Sequence, residues 1–192
     1  MILHLEKKGI RILGVAESFV ESDSRSVLAG VVMRRDLVID GLMFGQTTIK
    51  GNDSTRVILS MFERFNRNDI SCILLGGTII SIFNIIDGQK LANTAQIPVV
   101  AVSAVQEKGL NPENLLNFEN GEMKHRLYSS VKESAKVTLW TGKTVQVRNW
   151  GISIDEAHSL INSITLQGSR PEPIRIAVLA ARAFRNSYFQ TV

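Results

Sequence analysis

Apolar and polar residues follow one another along this chain in blocks that predict short strands and longer helices. Short runs of valine, isoleucine and leucine predict strands, whereas apolar residues three or four positions apart predict helices. The predicted strands cover residues 10–15, 26–33, 37–44, 71–75 and 98–105, and a hairpin covers 135–139 and 144–148. The first predicted helix starts after the GNDST segment. The further predicted helices cover residues 87–96, 113–118, 123–134, 154–164 and 172–187.

The clearest unit runs from Cys72 to Val105 and contains a strand, a glycine turn, a helix and a second strand. Both strands lack polar alternation, which predicts that each is covered on both faces. The helical crossover between them predicts parallel neighbours. The three-residue link Arg34-Arg35-Asp36 joins the two preceding strands and predicts an antiparallel hairpin. This order predicts an α/β, ribonuclease H-like fold with a mixed five-stranded central sheet flanked by helices.

Composition narrows the class of protein. A chain of 192 residues with 44% hydrophobic residues fits one domain spanning 1–192. No apolar run approaches the roughly 20 residues of a membrane span, and the first residues lack the apolar stretch of a signal peptide, so we expect a cytoplasmic protein. Its one cysteine, Cys72, is expected to be a buried small hydrophobe. The net charge of +4 permits nucleic-acid binding without requiring it.

Three acidic residues are candidates for catalysis because hard cations such as Mg²⁺ prefer carboxylate oxygens. Glu17 follows the first strand, in a place that suits either a metal ligand or an exposed acidic loop. Asp53 precedes the first helix and is alternatively its N-cap, and Asp87 alternatively caps the second helix. His4, His125 and His158 are scattered along the sequence, which argues against a zinc site.

Ligands of open α/β sheets gather at the carboxyl ends of the strands, here residues 76–84 and 103–108. Within the first segment, Gly76 and Gly77 form a turn, and Asn84 is either satisfied by local hydrogen bonds or faces a ligand. Phe83 is either a core residue or a stacking partner for an extruded base. On the last helix, three arginines share one face that is either solvated or tracks phosphates. They are Arg175, Arg182 and Arg185.

Several segments together resemble a largely archaeal family of endonuclease V-like proteins called endonuclease dU. They are SVLAGVVMRRDLVIDG, GNDST, FNIIDGQKLANTAQIPVVAV and SRPEPIRIAVLA, and the PEPIR segment also resembles one near the end of endonuclease V. The resemblance covers most of the chain. It implies a ribonuclease H-like fold and cleavage, with Mg²⁺ or Mn²⁺, near deaminated bases in DNA or RNA, as in DNA repair.

The chain departs from this family at two acidic positions. Where the family has Gly-Ile-Asp-Asp-Gly, this chain has Gly14-Val15-Ala16-Glu17-Ser18, and where it has Leu-Asp-Gly, this chain has Leu75-Gly76-Gly77. Asp53 and Asp87 match acidic positions of the family. The resemblance therefore implies Glu17, Asp53 and Asp87 as remaining catalytic residues, with Glu17 and Asp53 as metal ligands.

Three hypotheses follow. The first is an endonuclease V-like enzyme that nicks uracil- or inosine-containing nucleic acid with a bound metal ion. The second is a catalytically degenerate member that keeps the fold and binds nucleic acid or a protein partner without cleavage. The third is a pocket adapted to an unrelated small molecule, for which the sequence contains no positive sign.

Overall fold

The computed structural model describes residues 9–103, 112–131 and 133–189. The strands are β1 (Arg11–Ser18), β2 (Arg25–Arg34), β3 (Ile39–Thr48), β4 (Ile70–Leu75), β5 (Ile79–Ile80), β6 (Asn84–Ile85), β7 (Val99–Ser103), β8 (Ala135–Thr138) and β9 (Thr144–Trp150). The helices are α1 (Ser54–Phe65), α2 (Gly88–Ala95), α3 (Gly121–Ser130), α4 (Ile154–Ser163) and α5 (Glu172–Phe189), with a 3₁₀ helix at Pro112–Asn117.

The central sheet has the strand order β3-β2-β1-β4-β7-β9-β8. β1, β4 and β7 are parallel, and β2 and β3 are antiparallel to their neighbours, so the predicted hairpin and βαβ crossover are confirmed. The prediction of five strands is wrong, because the β8–β9 hairpin extends the sheet to seven. β9 pairs antiparallel with β7 and covers an edge that would otherwise expose unpaired backbone groups.

Two hydrophobic cores lie on opposite faces of the sheet. The first core packs β1, β2, β4 and β7 against α4 and α5, through residues such as Leu160 and Ile174. The second core packs alternate residues of the same strands against α1 and α2, through residues such as Met61 and Leu91. β4 and β7 contribute to both cores, which confirms that they are covered on both faces.

Several boundaries differ from the predicted ones. β1 continues through Ser18, where a loop was predicted, and β3 begins two residues later and extends to Thr48. Leu37 lies in the hairpin turn with a φ of 69° instead of in β3. The apolar segment at residues 79–85 forms the small β5–β6 hairpin. The predicted ends of the β7 segment and its loop, residues 104–108, lie outside the described residues.

Cys72 is 0% exposed within β4. Burial raises the pKa of its thiol to about 12, so this cysteine is a packed apolar side chain, as predicted. Across the described ranges, no helix combines the length and apolarity that crossing a membrane requires.

Candidate functional site

Ala16 and Gly76 lie side by side at the carboxyl ends of β1 and β4. Val15 is opposite Leu75 in the parallel register, and the amide of Gly76 donates to Val15 O at 2.9 Å. A Cβ atom built at Gly76 would lie 3.5 Å from Ala16 Cβ and 3.2 Å from Ile174 Cγ2. The two positions where the family resemblance implies aspartates therefore meet in space. Both lack a carboxylate, and Ile174 of α5 packs next to them.

The PEPIR segment starts α5 and packs directly on this edge of the sheet. A Cβ atom at Gly14 would lie 2.5 Å from the Pro173 carbonyl carbon, so only glycine permits this approach. Glu172 is 3% exposed, and its carboxylate accepts hydrogen bonds of 2.6–2.9 Å from the Arg175 guanidinium. The hydrogen bond to Glu172 raises the pKa of Arg175 against the effect of burial. Arg175, a predicted phosphate contact, is thus held by an internal carboxylate.

Glu17 points to the opposite face of the sheet from Ala16, because successive strand residues alternate. Its carboxylate accepts hydrogen bonds from Ser81 N at 2.9 and 3.0 Å, from Ser81 Oγ at 2.6 Å and from Ser26 Oγ at 2.8 Å. Both serines are buried. The Glu17 carboxylate, next in sequence to Ala16, therefore already binds Ser81 and Ser26.

The residue that Glu17 holds begins an unusual turn. Ser81, Ile82 and Phe83 have φ values of 46°, 53° and 65°, three consecutive left-handed residues without a glycine. Such backbone costs free energy, especially for a β-branched residue, and persists only where neighbours fix it. Here Lys50 N donates to Ser81 O at 2.7 Å, and Thr47 Oγ1 lies 3.1 Å from Ser81 Oγ. We call this arrangement, with Glu17, the Ser81 clamp.

Phe83 is half-buried and packs against Phe118, with ring centroids 4.8 Å apart. Lys124 of α3 lies over the Phe118 ring, 5.6 Å from its centroid, and its ammonium donates to Lys50 O. Lys124 is 2% exposed, and burial lowers its pKa although Glu119 acts in the opposite direction. Phe83 is therefore part of a packed cluster that fastens α3 to the β3–α1 loop.

Asp53 and Asn84 form a second hydrogen-bonded pair close to the start of α1. The Asp53 carboxylate accepts from Asn84 Nδ2 at 2.8 Å, from Thr48 Oγ1 at 3.0 Å and from Thr48 N at 3.1 Å. Burial would raise the pKa of Asp53, but these donors outweigh it, and the pKa lies below its ordinary value. Asp53 occupies the N-cap position without a side-chain capping bond. Asn84 Oδ1 instead accepts the Ser54 amide at 3.1 Å.

Asn84 is 0% exposed, and its amide also donates to Thr48 O at 3.0 Å. Of the two predicted possibilities for Asn84, local hydrogen bonding is the one that the structure contains. Asp87 caps α2, since its Oδ1 accepts Lys90 N at 2.8 Å, and its own amide donates to Thr55 Oγ1 at 2.9 Å. The capping alternative for Asp87 is therefore present as well.

The remaining predicted positions differ in their exposure. Gly76 is exposed, whereas Gly77 is buried with a φ of 116° that favours glycine. Arg185 donates to Phe19 O at 2.7 Å and to Asn186 Oδ1 at 2.9 Å. Arg182 is exposed on α5. The structure therefore brings together Ala16, Gly76 and the start of α5, whereas Asp53 pairs with Thr48 and Asn84, and Asp87 lies at the start of α2.

The carboxyl edge, meaning the ends of β1 and β4 with the start of α5, does not offer a Mg²⁺ site among its described residues. Ala16 and Gly76 provide no side-chain oxygen, and the Glu17 oxygens already accept four contacts from serine donors. Among the described residues, no group of three or more His, Cys, Asp or Glu side chains is placed to hold a metal ion. Hard cations need several oxygen ligands, so the donor set of the described residues is too small.

Sequence reasoning missed Ser81, Lys124 and Glu172. Glu172 had a local signal, because an acid three residues before an arginine in a first helical turn can pair with it. Ser81 and Lys124 had no such signal. Ser81 contacts Glu17 across 64 positions of sequence, and Lys124 contacts Lys50 across 74 positions.

The sheet order and its flanking helices define a ribonuclease H-like fold of the endonuclease V type, which confirms the predicted fold class. The chain belongs to the endonuclease dU family, whose pattern matches residues 8–185. It is 31% identical over 174 residues to a UPF0215 protein from Pyrobaculum calidifontis, covering 90% of this chain and 96% of that protein. The resemblance inferred from sequence is therefore confirmed.

Solved structures of other proteins share this fold. A protein of unknown function from Archaeoglobus fulgidus superposes with a TM-score of 0.80 at 28% identity, covering 91% of this chain and 97% of that one. Endonuclease V from Bacillus subtilis superposes with a TM-score of 0.66 at 11% identity, covering 97% of this chain and 84% of that one. Endonuclease V from Ciona intestinalis, crystallised with inosine-containing DNA, superposes with a TM-score of 0.62 at 14% identity, covering 95% of this chain and 88% of that one.

Proposed function

We propose that this chain is a nucleic-acid-binding member of the endonuclease dU family that does not cleave its ligand. The observation that carries the proposal is the pairing of Ala16 with Gly76, whose Cβ positions lie 3.5 Å apart where the family resemblance implies two aspartates. Loss of both removes ligand oxygens together with the negative charge that attracts a divalent ion. Metal-assisted phosphodiester hydrolysis loses its means of stabilising the attacking and leaving oxygens.

The three candidate acids do not rebuild such a site. Glu17 projects to the face opposite Ala16 and holds the Ser81 clamp, and Asp53 is engaged by Thr48 and Asn84. Asp87 serves as the N-cap of α2. Each carboxylate thus has a structural role that binding a metal ion would disturb.

Nucleic acid is the ligand class that the relatives support. The chain belongs to an endonuclease family, and the structurally similar Ciona intestinalis endonuclease V was crystallised with DNA that contains inosine. The net charge of +4 favours association with a phosphate backbone. The proposal therefore retains the ligand of the family and removes the cleavage step.

The alternative is Mg²⁺- or Mn²⁺-dependent cleavage near deaminated bases, with Glu17, Asp53 and Asp87 as catalytic residues. It requires Glu17 to exchange its serine partners for a metal ion. Family membership is the observation in its favour.

Mn²⁺ binding distinguishes the two proposals. We expect no site-specific binding to the parent, and gained binding in the double variant Ala16→Asp/Gly76→Asp, measured by calorimetry and by the paramagnetic resonance of free Mn²⁺. The variant Ala16→Asn/Gly76→Asn has similar volume without charge and is the matched control; thermal unfolding checks that all three proteins fold. Parent protein that binds Mn²⁺ and loses it in Glu17→Gln would overturn the proposal.

A further inference from the structure

A trough lies between α1, α2 and α3, and neither Ala16 nor Gly76 is among its lining residues. It consists of two adjoining cavities of about 720 and 660 Å³ that share four lining residues. These are Asp87, Lys90, Leu127 and Ser130. The starts of α1 and α2 form one wall and α3 forms the other. We call this surface the α1–α3 trough.

The trough is lined by basic side chains. Arg56 of α1, Lys90 of α2 and Arg126 of α3 line it and are exposed, and the ammonium-bearing Lys124 is buried at its wall. Asp87 is the one carboxylate among its described lining residues, and its Oδ1 is engaged by a backbone amide. The lining therefore carries an excess of positive charge.

Neighbouring acids leave the exposed cations available. Arg126 lies 3.6 Å from Glu122 and Arg56 lies 4.0 Å from Asp53, and both arginine side chains are 78% exposed. Exposed pairs of this kind contribute about 0–1 kcal/mol, so a phosphate competes with them readily. Lys90 is also exposed.

Two helices begin at the trough, and the positive ends of their dipoles add to its field. Asn84 and Asp87 already accept the Ser54 and Lys90 amides, so the helices contribute potential more than free donors. Apolar surface lies among the charges, since Met123 is 45% exposed and lines the larger cavity. Cations spaced around an apolar floor suit a strand that presents phosphates beside sugars and bases.

We propose that the α1–α3 trough binds the phosphodiester backbone of a nucleic acid, with Arg56, Lys90 and Arg126 contacting phosphates. This inference rests on the proposed function and assigns it a surface. The trough lies on the face of the sheet covered by α1 and α2, whereas Arg175, Arg182 and Arg185 belong to α5 on the opposite face. Binding at the trough leaves the α5 arginines uninvolved.

The test compares two triple variants that remove the same charge. Arg56→Gln/Lys90→Gln/Arg126→Gln changes the trough, and Arg182→Gln/Lys136→Gln/Lys143→Gln changes exposed cations elsewhere. Fluorescence anisotropy measures binding of labelled single-stranded DNA, duplex DNA and RNA over a range of salt concentrations. Because each phosphate contact contributes about 0.7 to the slope of log K against log salt for a single strand, we expect the trough variant to lose about 2 from the slope and roughly tenfold or more in affinity.

The outcomes separate the two proposals. Absence of salt-dependent binding by the parent would overturn the proposed function and the trough together. Parent binding that the trough variant retains in full, or that the control variant loses equally, overturns the trough alone. Poly-L-glutamate that competes as well as the oligonucleotides indicates an acidic protein partner and also overturns the inference. Thermal unfolding of both variants confirms that the exposed substitutions leave the fold intact.

Discussion

The carboxyl edge and the α1–α3 trough use their charged residues in opposite ways. At the carboxyl edge and beside it, Glu17, Asp53 and Glu172 point into the protein, where each carboxylate accepts several hydrogen bonds. At the trough, Arg56 and Arg126 project into solvent with 78% of each side chain exposed. The first set holds neighbouring backbone and side chains in place, and the second remains exposed to solvent despite its weak ion pairs. The chemical type of a charged residue therefore says less about function than the partners it already has.

This difference separates stability from binding in a way that substitutions can test. Replacing an acid near the carboxyl edge should change the free energy of unfolding and leave the intrinsic affinity of the folded protein for nucleic acid unchanged. Replacing a trough cation should lower the affinity for nucleic acid and leave the free energy of unfolding unchanged.

The largest effect is expected for Glu17→Ala. It removes the acceptor of the buried Ser81 N and Oγ and releases three left-handed residues, which should cost about 3 kcal/mol of unfolding free energy. Urea denaturation measures the loss. Glu21→Ala, an exposed acid of the following loop, is the control and should stay within about 0.5 kcal/mol of the parent. Equal stability of Glu17→Ala and the parent would contradict the clamp.

The next effect compares two glycines beneath α5. Gly14→Ala places a Cβ 2.5 Å from the Pro173 backbone and should destabilise by about 2–3 kcal/mol, because neither β1 nor α5 can yield easily. In Gly76→Ala the atoms nearest the new Cβ belong to the Ile174 and Ala16 side chains and the Val15 carbonyl, at 3.2 Å or more, and the substitution should cost about 1 kcal/mol or less. Denaturation of both variants checks the order, and the reverse order would show that position 76 has no room for a side chain.

A smaller effect with a pH signature is expected for Asp53→Asn. Loss of the carboxylate that Thr48 and Asn84 hold should cost about 1–2 kcal/mol at pH 7. Because the folded pKa of Asp53 lies below its ordinary value of 3.8, the unfolded chain binds the proton more readily, and the carboxylate's contribution is lost as the pH falls through the folded pKa. The gap between parent and variant, measured by denaturation at several pH values, should therefore narrow below pH 3.8. A gap that stays constant into strong acid contradicts the role assigned to this carboxylate.

The smallest effect is expected for Arg182→Gln on α5. This side chain is exposed on the face opposite the trough, and its replacement should leave nucleic-acid affinity within about twofold of the parent at moderate salt. Lys90→Gln in the trough is the matched comparison and should weaken binding more in the same anisotropy assay. A larger loss in Arg182→Gln would return the binding surface to α5, as the sequence alone suggested.

Most of the fold could be predicted from the sequence, because buried segments leave a regular pattern of apolar residues. β4 and β7 face a core on each side, and their continuous apolar runs predicted this. The sheet extension by β9 was not predicted, since a hairpin pattern does not specify which strand its outer edge will pair with.

The candidate site was less predictable. Ala16 and Gly76 meet because β1 and β4 are parallel neighbours that end together, and the sequence pattern does not specify that pairing. The direction of Glu17 was not predicted either, because it depends on β1 continuing through Ser18. The left-handed turn at Ser81–Phe83 contains no glycine or asparagine and so gave no sequence signal. The trough is assembled from three helices, and its cations are far apart in sequence.

The central claim is that this protein binds nucleic acid without cutting it, and one measurement tests it directly. Parent protein is incubated with end-labelled, uracil- or inosine-containing oligonucleotides in Mg²⁺ or Mn²⁺, and each sample is divided between a native and a denaturing gel. Endonuclease V from Bacillus subtilis serves as the positive control for cleavage. We predict a salt-sensitive shifted complex on the native gel and only full-length oligonucleotide on the denaturing gel. A metal-dependent cleavage product that disappears in Glu17→Gln would contradict the account.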